Sequence, residues 1–178
     1  ENAPSVIRHG NARFTVLGPN LIRAEYSPSG EFLDAPTLCV RERVARETGV
    51  SVDETDGGVR IETPELRLEY QDSDEGFTAR SLAISYDSGG FAGKWTFGQA
   101  NDGVLPGTLR TVDMMDGRLR IKHEWKDGEI VNTTKVEDPF IPGYLSKSGY
   151  TVFDDSGSIP LTASDGAGHP WVAPLRGE

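Results

Sequence analysis

The chain has 178 residues, a length that suits one domain able to bury roughly 70% of its unfolded surface. Its 18 Lys+Arg against 28 Asp+Glu leave a net charge of −10, which repels phosphate backbones and excludes general nucleic-acid binding. No apolar run nears the ~20 residues of a membrane span, and Cys39, the single cysteine, excludes an internal disulfide. Glu1 opens no signal peptide, and the missing initiator Met leads us to expect a processed or trimmed start; a soluble, cytoplasmic protein is expected.

With 21 Gly, 11 Pro and short runs of Val, Ile, Thr, Phe and Tyr, the composition predicts an all-β fold. Residues 1–12 read as a polar lead-in ordered around Val6 and Ile7. Phe14 to Leu17 and Leu21 to Ser27 predict a hairpin across Gly18-Pro19-Asn20, with Ile22, Ala24 and Tyr26 on one face and Arg23 and Glu25 on the other. A loop over 28–36 follows, then a possible strand over Thr37–Val44, where Cys39 in the run Leu38-Cys39-Val40 reads as a buried small hydrophobe.

Val50–Glu54 and Val59–Thr63 flank Asp56-Gly57-Gly58, a strong hairpin signal, and Thr63-Pro64-Glu65 turns the chain into Leu66–Tyr70. Asp72-Ser73-Asp74-Glu75-Gly76 fails the calcium-loop spacing and reads as a solvated turn. A strand is expected over Phe77–Tyr86. Gly89 to Lys94 is one residue short of a phosphate loop, and Trp95 stands where Ser or Thr is needed; Trp95–Phe97 reads as strand.

Pro106-Gly107 predicts a turn into a strand ending at Asp113. The clearest alternation comes next. Leu119, Ile121, His123 and Trp125 interleave with Arg120, Lys122, Glu124 and Lys126, and Asp127-Gly128 turns the chain into Ile130-Val131, so that Lys126 faces Glu129. Gly143 to Gly149 reads as a loop delivering the chain into a buried strand, Tyr150 to Phe153, which stops in the acidic turn Asp154-Asp155-Ser156-Gly157. Ile159–Leu161 and Trp171–Ala173 close the chain. A large antiparallel β-sandwich of roughly a dozen strands, in one domain over 1–178, is the expected architecture.

Catalytic constellations are scarce. His9, His123 and His169 lack metal-ligand spacing, and there is no Gly-x-Ser-x-Gly elbow. No cofactor or metal is expected.

Four segments carry a resemblance. Tyr144-Leu145-Ser146-Lys147-Ser148-Gly149-Tyr150-Thr151-Val152-Phe153-Asp154-Asp155-Ser156 resembles a stretch in the N-terminal β-domain of family 31 glycoside hydrolases, the α-glucosidase and α-xylosidase family. Arg13 to Ser27, Val59 to Leu68 and Gly107 to Asp113 are similar to further segments of that domain, in the same order along 13–161. The resemblance implies a galactose-mutarotase-like β-sandwich packed on a catalytic (β/α)8 barrel. It places the nucleophile and the acid/base on that barrel, and Asp113-Met114-Met115 is not the nucleophile motif. Retaining hydrolysis needs two carboxylates about 5 Å apart, and this chain cannot supply the family's pair.

The implied identity is therefore a non-catalytic N-terminal domain without its barrel. The implied partners are the barrel and an oligosaccharide, with no nucleic acid and no membrane. In the family a loop of this domain reaches the substrate cleft, and on these residues it implies Asp113, Asp138 and Tyr144 as the cleft edge. Two alternatives stay open: a free-standing carbohydrate-binding module using Trp95 or Trp171, and a mutarotase-type enzyme, for which adjacent His123 and Glu124 would point to opposite faces.

Overall fold

The computed structural model describes residues 5–37, 40, 49–106, 119–136, 142–158, 160–162 and 171–172; at 106, 119–122, 132–136, 142, 162 and 171–172 it describes the backbone alone. The fold is all-β and antiparallel, with no helix among the described residues. The chain divides into two compact units, 1–100 with 153–178 and 101–152.

The first unit opens with β1 (Val6–His9), β2 (Ala12–Gly18) and β3 (Leu21–Tyr26), which form a three-stranded meander. Phe14 pairs with Ala24 and Val16 with Ile22, so one face is apolar and the other carries Arg13, Thr15, Arg23 and Glu25, as alternation predicts. The lead-in read at Val6 and Ile7 is the edge strand β1.

A five-stranded meander follows: β4 (Ser51–Thr55), β5 (Gly58–Glu62), β6 (Leu66–Gln71), β7 (Leu82–Ser88) and β8 (Phe91–Thr96). Its inner face supplies Val59, Ile61, Leu68, Tyr70, Leu82 and Trp95, all buried. Phe14 of β2 meets Tyr70 of β6 with ring centroids 5.3 Å apart, and Phe77 stands 5.7 Å from Tyr70 and 6.0 Å from Phe14. The apolar faces of the two sheets thus share one aromatic-rich core. Each such ring pair adds about 1 kcal/mol beyond the area it buries.

Phe77 is not in a strand, contrary to the sequence expectation. The hydroxyls of Thr78 and Ser81 take over the local backbone groups: Thr78 N donates to Ser81 Oγ at 2.8 Å, and Ser81 Oγ donates to Gly76 O at 3.1 Å. Side chains of this kind compete with the ladder for backbone partners and favour a turn. The strand begins only at Leu82. The glycine-rich stretch at Gly89-Gly90 is the β7–β8 hairpin turn.

The second unit contains β9 (Val104–Pro106), β10 (Leu119–Lys126), β11 (Glu129–Val136) and β12 (Pro142–Ser146). β9 pairs with β12, and β10 with β11. Asp127 and Gly128 both have positive φ, 55° and 86°, which is the mirror-image turn that matches strand twist. Lys126 faces Glu129 across it, as expected. Pro106 is the last residue of β9; the turn and strand expected over Gly107–Asp113 lie outside the described residues.

The stretch around Tyr144 corrects the sequence reading. The strand is Pro142–Ser146, in the part read as a loop, and Tyr150 to Phe153 form no strand. Val152 is 56% exposed and Phe153 41%. Their composition suits a strand, but β propensity acts only where a neighbouring strand and a buried face exist. Tyr150 O instead accepts from Asn101 Nδ2 at 2.8 Å. Two short strands, β13 (Leu161–Thr162) and β14 (Trp171–Val172), complete the first unit.

Candidate functional site

Of the three expected cleft-edge residues, Asp113 and Asp138 lie outside the described residues, as does Cys39. Tyr144 lies in β12, whose backbone is held by pairing with β9. Its side chain is 68% exposed, and that of Leu145 72%. Ser146 Oγ lies 3.2 Å from Asn101 Oδ1, and Lys147 N donates to Gly103 O at 2.9 Å, so the strand that presents Tyr144 is anchored at its C-terminal end.

The hairpin β10–β11 in the same unit adds a residue that sequence reading treated only as part of an alternation. Trp125 is 76% exposed and stands directly opposite Ile130, itself 55% exposed. Neither residue is where a solvated hairpin needs an apolar side chain. An isolated two-stranded ribbon is at best marginal in water, and among the described residues no third strand joins this one. Covering Trp125 and Ile130 would contribute on the order of 4 kcal/mol of apolar transfer. His123 and Glu124 are consecutive in β10 and so lie on opposite faces, which argues against their acting together as an acid–base pair. Trp95 is 8% exposed and donates its indole N–H to Gln99 O at 3.3 Å, so it offers no sugar platform. The side chain of Trp171 lies outside the described residues.

A second constellation lies on the polar face of β2 and β3. Arg13 holds Glu25 in a two-pronged pair, Nε to Oε2 at 2.8 Å and Nη2 to Oε1 at 3.0 Å, and its Nη1 also donates to Asp34. The Phe32 ring lies over its guanidinium, 4.6 Å from the centroid. Arg23 Nη1 donates to Asp155 Oδ2 at 3.0 Å, while its Nε lies 3.2 Å from Glu25 Oε1, outside hydrogen-bonding geometry. Thr37 Oγ1 lies 3.1 Å from both Asp155 oxygens.

Burial pushes the Glu25 carboxyl up, but the Arg13 hydrogen bond and the Arg23 charge outweigh it, and the net shift is down. Burial likewise raises Asp155, and bonds from Ser158, Arg23 and Thr37 bring it below the usual carboxylate range. The Glu25 hydrogen bond raises Arg13 against its own desolvation. Both carboxylates are thus held ionised, without the raised pKa that general acid catalysis needs. The network ties segments together. Sequence reading placed Arg23 and Glu25 on the face opposite Ile22, Ala24 and Tyr26 and read Asp155 as a turn residue. Asp154 does close that turn, accepting from Ser156 N at 2.9 Å, but Asp155 points into the network.

Among the described residues no three His, Cys, Asp or Glu side chains form a metal cluster, and no helix is long and apolar enough to cross a membrane. No family model and no curated protein matches the chain.

Proposed function

We propose that the chain is a non-catalytic β-sandwich domain of a family 31 type α-glycosidase, which docks on a catalytic (β/α)8 barrel and lends Tyr144 to the edge of its oligosaccharide cleft. The observation that carries the reading is the exposed apolar pair Trp125 and Ile130 on a hairpin that no third strand joins among the described residues. A domain that folds against a partner leaves such a face uncovered when it stands alone. The resemblance along 13–161 supplies the nature of the partner, and the all-β antiparallel fold is the one that resemblance implies. Tyr144 has the chemistry for the edge role, because an exposed phenol ring can stack on a sugar and its hydroxyl can bond a sugar hydroxyl.

The test compares the protein expressed from its full reading frame with this chain alone, using p-nitrophenyl α-glucoside and α-xyloside. Hydrolysis by the full protein and none by the chain is the expected result. A full protein inactive on both substrates, or a chain that hydrolyses either by itself, overturns the proposal. Titration of the chain with maltose separates the free-standing binding module, which would give saturable heat.

A further inference from the structure

The outer face of the five-stranded sheet carries a cleft of about 420 Å³ that the proposed function does not use. This falls within the ~300–1,000 Å³ of small-molecule sites. Its form follows from the strand register. Arg60 of β5 faces Glu69 of β6, Glu69 faces Ala83 of β7, and Ala83 faces Thr96 of β8. Ala83 is the small residue of that row, so the sheet dips between taller neighbours, and Arg80 and Lys94 are among the other residues that line it.

The charges in the cleft are unbalanced. Three cations, Arg60, Arg80 and Lys94, line it with one carboxylate, Glu69, in a protein whose net charge is −10. Asp53 faces Arg60 from β4 but does not line the cleft. Glu69 is shared loosely: its oxygens stand 3.6 Å from Arg60 Nε and 3.9 Å from Lys94 Nζ. Arg60 Nε is shielded from solvent and makes no hydrogen bond among the described residues. An Nε closed off from solvent leaves the two Nη groups as the donors this guanidinium can offer a planar, two-pronged carboxylate. Thr96 stands at the other end of the same row; its Oγ1 donates weakly to Gln99 Oε1 at 3.5 Å, and its oxygen can accept from a ligand hydroxyl.

We propose that this cleft binds a small hydroxylated carboxylate, the chemistry of a sugar acid, with Arg60 and Lys94 on the carboxylate and Thr96 on a hydroxyl. The site is independent of the α-glycosidase reading, and an inactive full-length protein would leave it standing. Amide-resolved NMR titration tests it, with D-glucuronate as the probe and D-glucose as its neutral counterpart. Saturable shifts confined to β5–β8 are expected with glucuronate and not with glucose. Arg60→Gln with Lys94→Gln should abolish them. Ala83→Leu fills the dip without changing a charge and should weaken binding about tenfold or more, while Glu69→Gln removes the competing carboxylate and should tighten it. Absence of saturable shifts, equal response to glucose, or unchanged affinity in the folded Ala83→Leu variant each overturns the proposal.

Discussion

Arg23 and Asp155 meet at 3.0 Å although 132 positions separate them in the chain. The pair fastens the segment after Asp154 to the opening hairpin. The fastening continues through the backbone, where Thr37 pairs with Pro160 in an isolated bridge and Leu161 N donates to Pro36 O at 2.7 Å. Asp155 and Arg23 are 8% and 17% exposed, so the pair is largely removed from solvent screening. Removing one member leaves the other charge buried, which is the costly way to break such a pair.

Asp155→Ala is therefore expected to destabilise the first unit by about 3 kcal/mol. Asp155→Asn keeps the shape and one acceptor for Thr37 and should cost less. Urea denaturation of the three proteins measures both. Hydrogen exchange gives a sharper check: the Leu161 amide should lose protection in Asp155→Ala before the amides of β5 and β6 do. A loss shared equally by all three strands would mean that the pair does not fasten this segment locally.

Acid should weaken the same network. Glu25 and Asp155 have folded pKa values below their unfolded ones. Their contribution is thus complete above the unfolded carboxylate range, about pH 4, and is lost as pH falls through the folded values. The raised Arg13 value acts only far into the alkaline range and leaves this window untouched. The urea midpoint should stay level from pH 7 to about pH 5 and fall below about pH 4. Asp155→Asn should show a shallower fall. A variant with the same acid slope as the parent would assign the sensitivity to other carboxylates.

Local pairing was legible in the sequence because alternation and turn chemistry act over a few residues. Asp127-Gly128 announces its hairpin, and the apolar residues Ile22, Ala24 and Tyr26 announce the inner face of β3. What could not be read is what depends on distant partners. Tyr150 to Phe153 have strand composition but join no strand among the described residues. Arg23, Glu25 and Asp155 look solvated in their own neighbourhoods and become a buried network only when segments far apart in the chain meet. The exposure of Trp125 was hidden for the same reason, since an alternating strand normally buries the face that holds its tryptophan.

Gly58 is a position where the fold tolerates no side chain. A Cβ built there collides with the carbonyl oxygen of Tyr70, which belongs to the neighbouring strand and cannot swing aside. The adjacent residue Val59 pairs with Tyr70, itself in the aromatic core, so β5 and β6 cannot separate without opening that core. Gly58→Ala should cost about 2–4 kcal/mol by overpacking. Gly89→Ala meets no atom within 4 Å, although its φ is +60°, and should cost only about 1 kcal/mol from backbone strain. Thermal unfolding of both variants checks the order. The reverse order would mean that the two strands can shift apart cheaply.

Trp125→Ala separates a docking residue from a core residue. A tryptophan 76% exposed adds little to its own chain, and the pairing with its cross-strand neighbour Ile130 contributes about 0.5 kcal/mol. The isolated chain should therefore unfold at nearly the same urea concentration with or without the ring. If the proposed reading holds and the reading frame encodes a (β/α)8 barrel, the affinity of the chain for that barrel, measured by titration, should fall about tenfold or more, because a central aromatic covered on association is where binding energy concentrates. If the variant instead loses several kcal/mol of stability by itself, Trp125 is held by internal packing and the hairpin is not a docking face.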